Sequence, residues 1–215
     1  MLTQARDAGV VLDYMVMTTA GEREAETRHE QAATTFLQAI SEEQGLDKEI
    51  RQPGLVGRQI SVDDFYGWHF DRVARRLRLP APDDYAEAWL ELYRSHEGIK
   101  ASLAFELGYG PYHWADDEDP NNAMWVRDEI TCTYAHAFSD PPYSIRGSHA
   151  DLEQLFLSID EEVLQGPDDG TEIWWWDGGD WADYFLAGLE CWGAWVCTLR
   201  TSSNRFVAIG ASSSD

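Results

Sequence analysis

The stretch from Thr171 to Ile209, TEIWWWDGGDWADYFLAGLECWGAWVCTLRTSSNRFVAI, holds Trp174, Trp175, Trp176, Trp181, Trp192 and Trp195, six of the ten tryptophans in the chain. An aromatic side chain buries roughly 150–250 Å², so a cluster this dense must serve as core, as binding surface, or as both. Its second half reads as a β-hairpin. Segments 192–200 and 205–210 are rich in aromatic and β-branched residues, and Thr201, Ser202, Ser203 and Asn204 between them have turn chemistry. Before the hairpin, Asp177-Gly178-Gly179-Asp180 is a turn signal, and Asp180 can cap a short helix from Trp181 to about Leu186. If 172–177 is a strand, Trp175 faces opposite to Trp174 and Trp176. At least one indole is then offered to a second layer or to a partner.

Outward from this stretch, helices dominate the N-terminal half. Segment 9–17 has an ambiguous apolar period and is read as helical. Segment 21–44 is a helix with the stripe Ala32, Ala33, Phe36, Leu37 and Ile40, and Gly45 stops it. Gln52-Pro53-Gly54 marks a loop. Ser61 followed by Asp64 forms a capping-box pattern and predicts a helix over 62–77 whose face holds Phe65, Trp68, His69, Val73 and Leu77. The arginines at its end, Arg72, Arg75, Arg76 and Arg78, suit an internal clamp on acidic neighbours better than a nucleic-acid patch. Pro80-Ala81-Pro82 breaks the pattern, and Tyr85, Ala88, Trp89, Leu92 and Tyr93 give another helix to about Ser95. An aromatic loop follows at 108–114, and 130–137 reads as a strand. Ser148 with Asp151 repeats the capping pattern, so 149–164 is a helix with Leu152, Leu155, Phe156, Ile159 and Val163 inside.

The expected fold is therefore α+β: a helix-rich N-terminal half packed on an antiparallel sheet that includes the C-terminal hairpin. At 215 residues, with no repeat and no long linker, residues 1–215 are read as a single domain. A hydrophobic content of 44%, of which aromatics make up a large share, excludes disorder. Arg6, Asp7 and Asp13 interrupt any signal-peptide core, and no apolar run reaches the roughly 18 residues of a membrane span, which places the chain in the cytoplasm. Cys132, Cys191 and Cys197 have no metal-ligand spacing and read as reduced thiols.

Charge is the strongest global signal. The net charge is −23, and it is lopsided: residues 1–100 carry 12 basic and 18 acidic residues, whereas 101–215 carry 4 and 21. Such a field repels nucleic acid and anionic membranes and attracts a basic partner. The 14 arginines against only Lys48 and Lys100 also fit a GC-rich genome or salt adaptation.

No catalytic signature is present: no G-x-S-x-G, no phosphate-binding loop, no G-x-G-x-x-G, and no histidine pair at metal-ligand spacing. The run Asp116-Asp117-Glu118-Asp119-Pro120-Asn121-Asn122 departs from a calcium loop, since counting from Asp117 the sixth residue is Asn122 and the twelfth is Asp128. It reads as a solvated acidic loop, and neither metal nor cofactor is expected. The chain is therefore read as a binding protein rather than an enzyme. It would neutralise a basic protein, as the immunity protein of a bacterial toxin–immunity system does, through Asp116, Asp117, Glu118, Asp119, Trp175, Asp177, Asp180, Trp181 and Asp183. The alternative is a carbohydrate-binding or carbohydrate-processing site in which Asp177, Asp180 and Asp183 lie beside a tryptophan stacking platform.

Overall fold

In the computed structural model, which describes residues 1–18, 24–47, 56–67, 69–77, 133–139, 146–177, 182–185, 195–202 and 205–211, the Trp-rich stretch supplies three strands of a five-stranded antiparallel sheet. These are β5 (Glu172–Asp177), β6 (Trp195–Ser202) and β7 (Arg205–Ala211). β7 pairs outward with β1 (Leu12–Thr18), and β5 with β2 (Val56–Ile60), giving the order β1-β7-β6-β5-β2. Every neighbouring pair is antiparallel. The fold is α+β, as the residue patterns imply.

Side chains alternate across a strand, so the register sorts the tryptophans between two layers. Trp174 and Trp176 lie opposite Thr198 and Val196, on the face covered by α2 (Ala25–Gln44). There Ala33, Phe36, Leu37 and Ile40 pack on Trp176, Val196, Ala208 and Tyr184. α2 ends where Gly45 adopts φ 71°, its N–H and that of Leu46 closing on the carbonyls of Glu42 and Ser41. Trp175 lies opposite Cys197 on the other face, with Ile173, Leu199, Val207 and Ile209. That layer is built from shorter pieces: α1 (Leu2–Ala8), α3 (Val62–Tyr66), α4 (Tyr134–Ser139) and α5 (His149–Ile159), which continues into a π-helical turn over Asp160–Leu164.

Both capping boxes form. Ser61 Oγ accepts from Asp64 N at 3.0 Å and Ser148 Oγ from Asp151 N at 3.2 Å, with each carboxylate returning to the serine N–H. The helix after Ser148 follows its expected course, but the helix after Ser61 ends at Tyr66 rather than Leu77. Gly67 leaves helical geometry at φ 68°, and a short hairpin, β3 (Phe70–Asp71) with β4 (Arg76–Leu77), takes the remainder. The Asp71 carboxylate accepts from the N–H groups of Val73 and Ala74, so a local turn replaces the helix ladder. Val73, expected on the buried stripe, is 98% exposed.

Two more expectations are corrected. Within 9–17, Gly9 ends α1 at φ 99° and the chain then runs as strand β1, because Leu12, Tyr14 and Val16 alternate with Asp13, Met15 and Met17 against β7. Residues 134–137 are helical rather than extended: all six residues of α4 are buried, so tertiary packing overrides the β preference of the local sequence. The helix expected at 181–186 is represented by a 3₁₀ turn over Asp183–Phe185. The predicted helix at 82–95, the loops at 52–54 and 108–122, and Cys132 and Cys191 lie outside the described residues. Cys197 is a buried free thiol. No helix among the described residues is long and apolar enough to cross a membrane.

Candidate functional site

Three of the nine residues expected to meet a partner fall within the described residues. Asp116, Asp117, Glu118, Asp119, Asp180 and Trp181 lie outside them. Trp175 is 2% exposed and stacks on Trp195, ring centroids 4.3 Å apart, so it is a core residue and not the surface anchor expected. The physical reason is the second layer: α3, α4 and α5 cover the face that the WWW alternation would otherwise leave open. Asp177 ends β5, its backbone paired between Trp195 and Val56, and Asp183 opens the 3₁₀ turn, partly buried. Of the tryptophans expected to form a sugar platform, Trp176 is 1% exposed and the partly buried Trp174 stacks on it at 5.8 Å, while Trp181 lies outside the described residues.

Two polar constellations outside the expected partner-binding residues are well defined. The first surrounds Asp160, 1% exposed at the start of the π-helical turn. The Tyr66 hydroxyl donates to its Oδ1, and Arg75 Nη2 reaches its Oδ2 at 3.3 Å. Burial raises the Asp160 carboxyl above the usual carboxylate range, with Tyr66 and Arg75 opposing the rise. Burial, then the Asp160 charge, raises the Tyr66 phenol as well. Arg75 also borders a cleft of about 520 Å³ that it lines with Glu161, Gln165 and Gly166. Arg75 and Gln165, at φ 52° and 63°, are the two non-glycine residues with left-handed backbone among those described.

The rest of the β3–β4 hairpin is pinned in the same way. Arg72 bridges Asp63 at 2.5 Å and Asp169 at 2.7 Å, and Arg76 reaches Glu153 at 3.4 Å. These contacts make Arg72, Arg75 and Arg76 the internal clamp that their acidic surroundings imply, and Arg78 lies outside the described residues.

The second constellation lies beneath α2. His29 is fully buried, its Nδ1 2.9 Å from Thr198 Oγ1, which also accepts the Trp176 indole N–H at 2.9 Å. Its Nε2 stands 3.7 Å from Glu172 Oε2, while Glu172 Oε1 accepts from Arg200 at 2.8 Å. Burial lowers the His29 imidazole to about 4, against a raising contribution from Glu172. Both sites could have been suspected from spacing. Asp160 follows Leu152 and Phe156 at four-residue steps, and His29 precedes Ala32, Ala33 and Phe36 on one stripe, so each polar residue stands on an apolar face.

The described residues hold no group of three or more His, Cys, Asp or Glu side chains arranged to take a metal ion. In comparisons with known proteins, the chain matches no protein-family model, no curated protein and no solved structure.

Proposed function

We propose that this chain is an acidic binding protein that neutralises a basic protein partner, and that it acts as the immunity protein of a bacterial toxin. The supporting observation is where the charges go. Arg72, Arg75, Arg76 and Arg200 are each held on a carboxylate of their own chain. Exposed carboxylates meanwhile recur along α2 (Glu26, Glu30, Glu42, Glu43) and after α5 (Glu161, Glu162, Asp168). Among the described residues these four cations are held internally while the carboxylates of α2 and of the segment after α5 face solvent, in a chain whose net charge is −23. A basic cleft would be drawn to such a surface at rates that salt slows.

The test is association with a basic toxin domain, ideally one encoded beside this gene, together with rescue of growth when the two are co-expressed. Binding should weaken at least tenfold between about 50 mM and 500 mM salt as screening shortens the reach of the charges. Binding indifferent to salt, or no rescue by this chain from any adjacently encoded basic toxin, removes the reading.

A further inference from the structure

The His29 ring enters the sheet from the second turn of α2, between Phe206 at 4.9 Å and the tilted Trp174 ring at 5.9 Å. Its hydrogen bonds can be directed. Thr198 Oγ1 receives the indole proton of Trp176, so its own proton goes to His29 Nδ1. The ring proton then sits on Nε2, toward the Glu172 carboxylate, which is also where a carboxylate draws it. Across that 3.7 Å gap, Nε2 and Oε2 are both buried and neither makes a hydrogen bond. The charged groups facing the ring are Glu172 from β5 and Arg200 from β6, with Arg28 on α2 itself; β7 presents the Phe206 ring.

Protonating this ring does two things. It turns Nδ1 from acceptor to donor, so Thr198 meets two donors and its hydroxyl proton loses its acceptor. It also places a cation in an apolar box beside two arginines, with one carboxylate beyond hydrogen-bond reach.

We propose that the His29–Thr198–Glu172 contact is an acid-sensitive latch that holds α2 on the sheet and loosens it, uncovering the Trp174–Trp176 face, when the imidazole is protonated. An imidazole lowered in the fold binds its proton more readily once released. The latch is therefore fully closed above about pH 6.5, weakens as pH falls, and has lost its whole contribution below about 4. Over that window the closed-to-open ratio falls roughly 300-fold, tenfold for each unit between the two values.

Hydrogen exchange of the full chain, corrected for intrinsic rates, tests this at pH 7 and pH 4. Amides in 25–44 should lose protection by about that factor while those of β6 and β7 keep theirs. His29→Gln should remove the pH-dependent loss in α2. If that variant does not fold, the His29 ring proton of the wild-type chain can be followed by NMR, and its midpoint should lie far below 6.5. Glu172→Gln should push that midpoint lower still, because the carboxylate is what eases protonation. Loss of protection shared equally by α2 and the hairpin would overturn the proposal, as would a His29 midpoint at or above 6.5.

Discussion

On one face of the sheet Trp176 meets a single 20-residue helix; on the other, Trp175 meets a layer assembled from four short helices. The α2 face is shallow. Gly57 and Gly210 carry no side chain there because a Cβ would come within 2.4 Å of the Trp176 ring and 2.6 Å of Phe36 and the Tyr184 hydroxyl. Small residues let one helix and two large rings lie close to the strands, and a histidine fills the polar gap. The opposite face is deep and aromatic. Phe65 stacks on Tyr134 at 4.8 Å, and Phe156 touches Tyr66, Phe70, Tyr134 and Phe138. Helices of five to eleven residues are marginal on their own and are held by packing, so the second layer must concentrate its burial in large rings. That layer also carries the buried carboxylate, Asp160, as the α2 face carries the buried imidazole.

If the deep face is the chief store of stability, Phe156→Ala should be the costliest single change, about 3–5 kcal/mol by urea unfolding. A loss under about 1 kcal/mol would reverse the ranking of the faces. Closeness on the α2 face is tested by Gly210→Ala, expected to cost about 1–3 kcal/mol because buried rings must shift. A neutral result would mean that α2 sits loosely.

The Asp160 cluster separates charge from shape. Asp160→Ala leaves the Tyr66 hydroxyl without its acceptor and should cost about 1–3 kcal/mol, whereas Asp160→Asn keeps an oxygen for Tyr66 and should cost less. Because the Asp160 carboxyl is raised in the fold, its charge opposes folding at neutral pH and the opposition fades as pH falls, opposite in sign to the effect of His29. The cost of Asp160→Asn relative to wild type should therefore grow in acid, as stability curves at pH 7 and pH 4.5 would show. Smallest is the cap: Ser148→Ala should lower stability by about 1 kcal/mol, read as a drop in the thermal midpoint. An unchanged midpoint would mean that α5 is held wholly by its packing.

Much of this was written locally. Two serine–aspartate pairs, the stripe of α2 with Gly45 behind it, and the β-branched hairpin form as spacing requires, because each depends on neighbours three, four or two residues away. The failures share a cause. Val73 fitted an apolar stripe yet stands in water, because Asp71 and Gly67 favour a turn and Arg75 is drawn to a carboxylate 85 residues away. Residues 134–137 prefer extension yet are helical inside a fully buried segment. The candidate site fared likewise: alternation put Trp175 opposite its neighbours, but only the packing of α3, α4 and α5 decided that a second layer of this chain, and not a partner, covers it.

By itself the sequence determined the fold class, the capped helix starts, the opposed tryptophans and the acid surplus, since periodicity, capping and net charge are properties of the chain before it folds. Tertiary structure alone decided which polar groups would be sealed in. The titration of His29 and of Asp160 depends on the water removed around them and on partners distant in sequence, neither of which exists until the two faces close.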